Sequence, residues 1–93
     1  MSEVVMYCTR FCPYCTGAEQ LLLRKGVEIK KIGVDNQPDL WNEMEEKTGR
    51  NTVPQIYIGD YHVGGYDDMV ELDMDGELDP LLEPILEAMK AQG

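Results

Sequence analysis

The chain has 93 residues, 43% hydrophobic and 28% charged, with eight basic residues against eighteen acidic ones for a formal net charge of −10. That length holds one small domain, 1–93, and the composition is globular rather than disordered or disulfide-dense. The acidic balance argues against nucleic acid and anionic membrane surfaces, both of which need clustered cations.

No apolar run approaches the ~20 residues of a membrane span. No basic region precedes the apolar residues at the N-terminus, so no signal peptide is read there. A reducing cytoplasm is the expected compartment. Cys8, Cys12 and Cys15 fall within eight positions. A disulfide framework would scatter its cysteines, so the clustering points to chemistry.

In chain order, residues 3–8 predict a first strand, apolar on nearly every position and so covered on both faces. A turn through Thr9, Arg10 and Phe11 leads to a helix at Cys12-Pro13, with Pro13 in the first helical position, where no donor is lost. Ala18, Leu21 and Leu22 repeat at helical period and Gly26 stops the helix. Residues 27–34 predict a second strand. A second helix starts at Pro38, carries Leu40, Trp41 and Met44 on its apolar face, and ends at Gly49.

Residues 53–58 and 62–63 predict two short strands turned by Gly59-Asp60. Helices are expected over 67–73 and 79–90, with Asp79 as N-cap to Pro80. Pro84 predicts a kink or a later start, since an interior proline deletes a helix bond. The order β-α-β-α-β-β-α-α gives an α/β fold: a four-stranded mixed sheet with helices on both faces.

Cys12-Pro13-Tyr14-Cys15 carries the chemistry. A cysteine at a helix start faces unpaired N–H groups that favour its thiolate, and the second cysteine lies one turn on, within bonding reach. A zinc site would need a second pair of ligands, and only Cys8 and His62 remain. Pro54 opens a strand where a proline cannot donate to the ladder. A cis Val53-Pro54 bond would explain it, and beside a CxxC pair it would expose the backbone of Val53 to an extended peptide. Gly64-Gly65 allows close approach of a ligand to the next helix start, whose free N–H groups suit a carboxylate. Asp67 and Asp68 cap that helix or grip an ammonium. Cys8 reads as a buried, inert thiol, with a disulfide to Cys12 as the alternative, and His62 as a surface residue without a partner.

These stretches, with Thr52-Val53-Pro54-Gln55 and Leu78-Asp79-Pro80-Leu81-Leu82, resemble the short dithiol glutaredoxins of bacteria over essentially the whole chain. The resemblance implies a thioredoxin fold and a monomeric glutathione-dependent thiol–disulfide oxidoreductase. It implies Cys12 as nucleophile and Cys15 as resolving cysteine. Tyr14, Thr52, Val53, Pro54, Gly65, Asp67 and Asp68 are implied as the glutathione site. Glutathione is implied as co-substrate, with no tightly bound cofactor and no metal. The implied partners are disulfide-containing or glutathionylated proteins, ribonucleotide reductase among them. Relatives often place a lysine three positions before the nucleophile, where this chain has Thr9. Arg10 is expected to replace it, with Arg50 and Gln55 as further candidates. Two rivals are a redoxin served by thioredoxin reductase and a dimer holding an iron–sulfur cluster. The Gly64–Asp68 segment speaks against the first and Pro13 against the second.

Overall fold

The computed structural model describes residues 3–92. The chain runs β1 (Val4–Cys8), α1 (Pro13–Arg24), β2 (Ile29–Gly33), α2 (Pro38–Thr48), β3 (Gln55–Ile58), β4 (Tyr61–Gly64), α3 (Tyr66–Met74) and α4 (Leu78–Gln92). The sheet order is β2-β1-β3-β4. β1 is parallel to β2 and antiparallel to β3, and β4 is antiparallel to β3.

Strand alternation sends successive side chains of β1 to opposite faces. Val4 and Met6 join Ile56, Ile58 and Val63 beneath α1, α3 and α4, which contribute Leu22, Met69, Leu78, Leu82 and Ile85. Tyr7 points the other way and packs with Val34, Tyr57 and Met44 of α2. Both faces are thus covered, which is why β1 is apolar throughout.

The first three strands are shorter than expected, and β4 is longer. β2 pairs only with the five residues of β1, and Val27 and Val34 flank it as buried ends. β3 begins at Gln55, which leaves Thr52, Val53 and Pro54 as a loop at the strand's mouth. α4 corrects two expectations. It begins at Leu78, so Asp79 lies in its first turn rather than capping it. It also runs on through Pro84, which rules out the later start. Pro84 is exposed while Leu82 and Ile85 beside it are buried, so packing holds both sides of the missing bond.

Two local features position the site. Lys25 Nζ lies 2.8 Å from both Asp73 and Asp79, tying the end of α1 to α3 and α4. Gly64 has φ +107°, and a Cβ there would lie 2.5 Å from Asp68 Oδ2. Only glycine fits this crossing from β4 into α3.

Because Pro84 occupies an exposed helical position without using its rigidity elsewhere, Pro84→Ala restores a backbone donor. It is expected to stabilise the protein by about 1–2 kcal/mol, once the freer unfolded chain is counted. Urea denaturation checks this, and an unchanged or lower midpoint would contradict it.

Candidate active site

Cys12 is the N-cap of α1, in extended conformation, with Pro13 following. The Cys15 amide donates to Cys12 Sγ at 3.2 Å. The sulfur therefore sits at the positive end of the helix, where an anion is favoured. Cys15 is buried, and its thiol is pushed up to about 12, mainly by burial and then by its hydrogen bond with Cys12. The backbone amide of Thr9 acts on it in the opposite sense. One turn of helix thus offers one sulfur and holds the other back as a thiol.

The Thr52–Pro54 loop faces this sulfur. The Val53-Pro54 bond is cis, as expected. The Cys12 thiol points at the Val53 carbonyl, 3.9 Å away. Gln55 pins the loop from behind. It is fully buried, and its Nε2 donates to the Thr52 carbonyl at 2.9 Å and to Thr52 Oγ1 at 3.2 Å. Its Oε1 accepts from His62 Nε2 at 2.8 Å, so His62 carries its proton there. The His62 ring stacks on Tyr57, with centroids 4.9 Å apart. His62 is therefore half-buried and partnered rather than a free surface residue. Burial, and then the nearby charge of Arg50, lowers its pKa.

A cleft of about 240 Å³ opens beside the loop. It is lined by Tyr14, Thr52, Val53, Pro54, Gly65, Asp67 and Asp68, seven of the eight binding residues expected from sequence. Arg50 and Tyr66 complete it. Arg10 lies elsewhere. Its guanidinium bonds Asp35 at 3.0 Å, on the β2 side, and holds that carboxyl below its usual range. Gln55 is also withdrawn, because its amide is spent inside the protein.

Arg50 remains the cleft's cation. It bonds Asp68 Oδ2 at 2.8 Å, and the Gly65 amide donates to the same oxygen at 2.8 Å. Arg50 first, and then that amide, lowers the Asp68 pKa. The Tyr66 ring lies over Gly17, with 3.2 Å from the ring to where a Cβ would stand, and 6.2 Å from the Tyr14 ring. Phe11 is 93% exposed and Tyr14 62% exposed, forming an apolar rim beside the nucleophile. Sequence reading missed Phe11, the part played by Tyr66 and the anchoring by Gln55 and His62. An exposed aromatic directly before Cys12 was the one local signal available. Among the described residues no group of three or more His, Cys, Asp or Glu is placed to hold a metal ion.

The contrast between the two thiols is testable. Iodoacetamide should label Cys12 and leave Cys15 unmodified up to about pH 9, because only thiolates alkylate and a thiol pushed up to about 12 stays protonated there. Peptide mapping after a short pulse checks this, and equal labelling of the two would contradict it.

The glutaredoxin family model matches residues 4–63. A glutaredoxin of Pseudomonas aeruginosa is 52% identical over 82 residues, covering 88% of this chain and 98% of that protein. Glutaredoxin 3 of Escherichia coli is 45% identical over 83 residues, covering 89% of this chain and all of its own length. Among solved structures, a glutaredoxin from Brucella melitensis superposes with a TM-score of 0.77 at 50% identity, covering 88% of this chain and 89% of that one. A buckwheat glutaredoxin–glutathione complex gives 0.82 at 30% identity, covering 89% and 78%. With its CPYC pair at a helix start on this sheet, the chain belongs to the glutaredoxin family of thioredoxin-fold thiol–disulfide oxidoreductases.

Proposed function

We propose that this chain uses glutathione to reduce protein disulfides and protein–glutathione mixed disulfides in a reducing cytoplasm, with Cys12 as nucleophile and Cys15 as resolving thiol. The observation that carries the reading is the cleft. It sets a loop backbone, a helix start and a cation beside Cys12, the half-buried sulfur of the Cys12–Cys15 pair. A buckwheat relative crystallised as a glutathione complex supports the same ligand here.

The Cys12 thiolate attacks a substrate sulfur, forming a mixed disulfide and releasing the substrate's other thiolate. In the two-thiol route Cys15 then attacks Cys12 Sγ, releasing the substrate and leaving a Cys12–Cys15 bridge that glutathione reduces. In the one-thiol route Cys12 takes the glutathionyl group and a second glutathione regenerates it. The Val53 backbone pairs with the cysteinyl part of the tripeptide. The free amides at the start of α3 receive the γ-glutamyl carboxylate, and the Asp67 and Asp68 carboxylates its ammonium. Arg50, rather than Arg10, supplies positive charge for a ligand carboxylate.

Two sets of variants test this by glutathione-coupled turnover of a mixed-disulfide substrate. Cys12→Ser abolishes turnover, whereas Cys15→Ser keeps the one-thiol route and loses reduction of protein disulfides. Residual activity in Cys12→Ser would refute the assignment. Arg50→Ala raises the apparent glutathione KM about 2–5-fold, the worth of a partly exposed charge pair, and Arg50→Lys recovers part of it. Arg10→Ala changes KM by less than about twofold, since its guanidinium is paired outside the cleft. The reverse ranking would move the carboxylate site to the β2 side.

A further inference from the structure

Cys8 is half-buried rather than buried, and it is not isolated. It ends β1 on the face that carries Val4 and Met6, the face covered by α1. Cys15 points down from α1 toward the same face. Both sulfur-bearing residues line one cavity of about 370 Å³. The cavity stays open because Gly33, the register partner of Cys8 on β2, has no side chain to fill it. Charged pairs border it, Lys31–Glu19 at 2.8 Å and Arg10–Asp35 at 3.0 Å.

The Thr9 amide, in the peptide unit leaving Cys8, lowers the Cys15 pKa against the burial that raises it. Cys12 faces the Val53 carbonyl and does not line the cavity. Cys15 thus stands between a thiol on the cleft side and a thiol on the cavity side. Burial raises the Cys8 pKa, the Lys31 charge opposes it and the Glu19 and Asp35 charges add to it, so its thiolate is scarce.

The geometry points to Cys8 as a second resolving thiol, which takes Cys15 from the Cys12–Cys15 bridge and returns Cys12 as a free thiolate. Cys8 Sγ attacks Cys15 Sγ. The Cys8–Cys15 bond forms, the Cys12–Cys15 bond breaks, Cys12 leaves as thiolate, and the Cys8 proton passes to water in the cavity. One disulfide is exchanged for another with no net oxidation, so no further oxidant is needed. Departure of Cys12 is favoured because the helix start stabilises the anion. An oxidised molecule then keeps a usable nucleophile and acts by the one-thiol route alone. The inference rests on the Cys12–Cys15 couple of the proposed function but not on glutathione.

The sequence makes the test direct, because trypsin cuts after Arg10 and Arg24 and separates Cys8 in 1–10 from Cys12 and Cys15 in 11–24. The protein is oxidised with bis(2-hydroxyethyl) disulfide, freed of reagent, incubated, blocked with N-ethylmaleimide, digested and mapped by fragmentation. We expect 1–10 to be disulfide-linked to 11–24 through Cys15, with Cys12 carrying the maleimide. A disulfide confined to 11–24 with Cys8 blocked, or a Cys8–Cys12 link, would overturn the inference. Cys12→Ser oxidised with diamide provides an arm independent of the Cys12–Cys15 couple. It should give the same linked pair in full yield, and two blocked thiols there would also overturn it. Failure of the parent to oxidise at all, with the linked pair still forming in Cys12→Ser, would count against the proposed function alone.

Discussion

The buried amide of Gln55 is the interaction on which the site depends. A fully buried polar side chain must satisfy its donors and its acceptor or cost about 1–3 kcal/mol for each one left unpaired. Gln55 does so by spanning three places at once: the Thr52 carbonyl, the Thr52 hydroxyl and His62 on β4. Those bonds hold the Val53 carbonyl in front of Cys12 and fix the mouth of β3 against β4. Because β4 leads through Gly64 directly into α3, the same anchor sets where the start of α3 meets the cleft. The Val53 backbone and Cys12 lie 41 positions apart in the chain, and a buried side chain keeps them in register.

Charge in the cleft is arranged with equal economy. Arg50 neutralises Asp68 while the Gly65 amide shares the same carboxylate oxygen. In the proposed complex a ligand carboxylate would compete for Arg50, and a ligand ammonium would take over the freed Asp68. A zwitterionic γ-glutamyl group can satisfy both partners at once, whereas a simple anion would leave the Asp68 carboxylate with its amide bond alone. The ion pair therefore favours the kind of ligand that the helix start also suits, in a protein whose overall charge of −10 repels anions.

The local pattern carried most of the fold. Pro13 and Pro38 marked helix starts, Gly26 and Gly49 marked stops, and the unbroken apolar run of β1 announced a strand covered on both sides. The cysteine pair needed only its place at a helix start to declare two unequal thiols. What escaped were partners far apart in sequence. Arg10 finds Asp35 across 25 positions, and no spacing rule connects them. Gln55 and Arg50 could not be told apart as ligand residues until burial withdrew one. His62 looked unpartnered because its stack on Tyr57 and its bond to Gln55 depend on β4 folding back over β3. Cys8 looked fully buried because the missing side chain beside it belongs to Gly33, on a strand 25 residues on. Pro84 misled in the other direction, since tertiary packing of Leu82 and Ile85 overrode a local break.

In the proposed complex the Gln55-anchored loop and the start of α3 together bind glutathione beside Cys12. The most direct measurement is a structure of Cys15→Ser trapped as the Cys12–glutathione mixed disulfide. The account predicts a cysteinyl backbone paired with Val53 and the γ-glutamyl group at Asp67 and Asp68. A glutathionyl group lying instead toward Arg10 and Asp35, with the Val53 backbone unengaged, would contradict it.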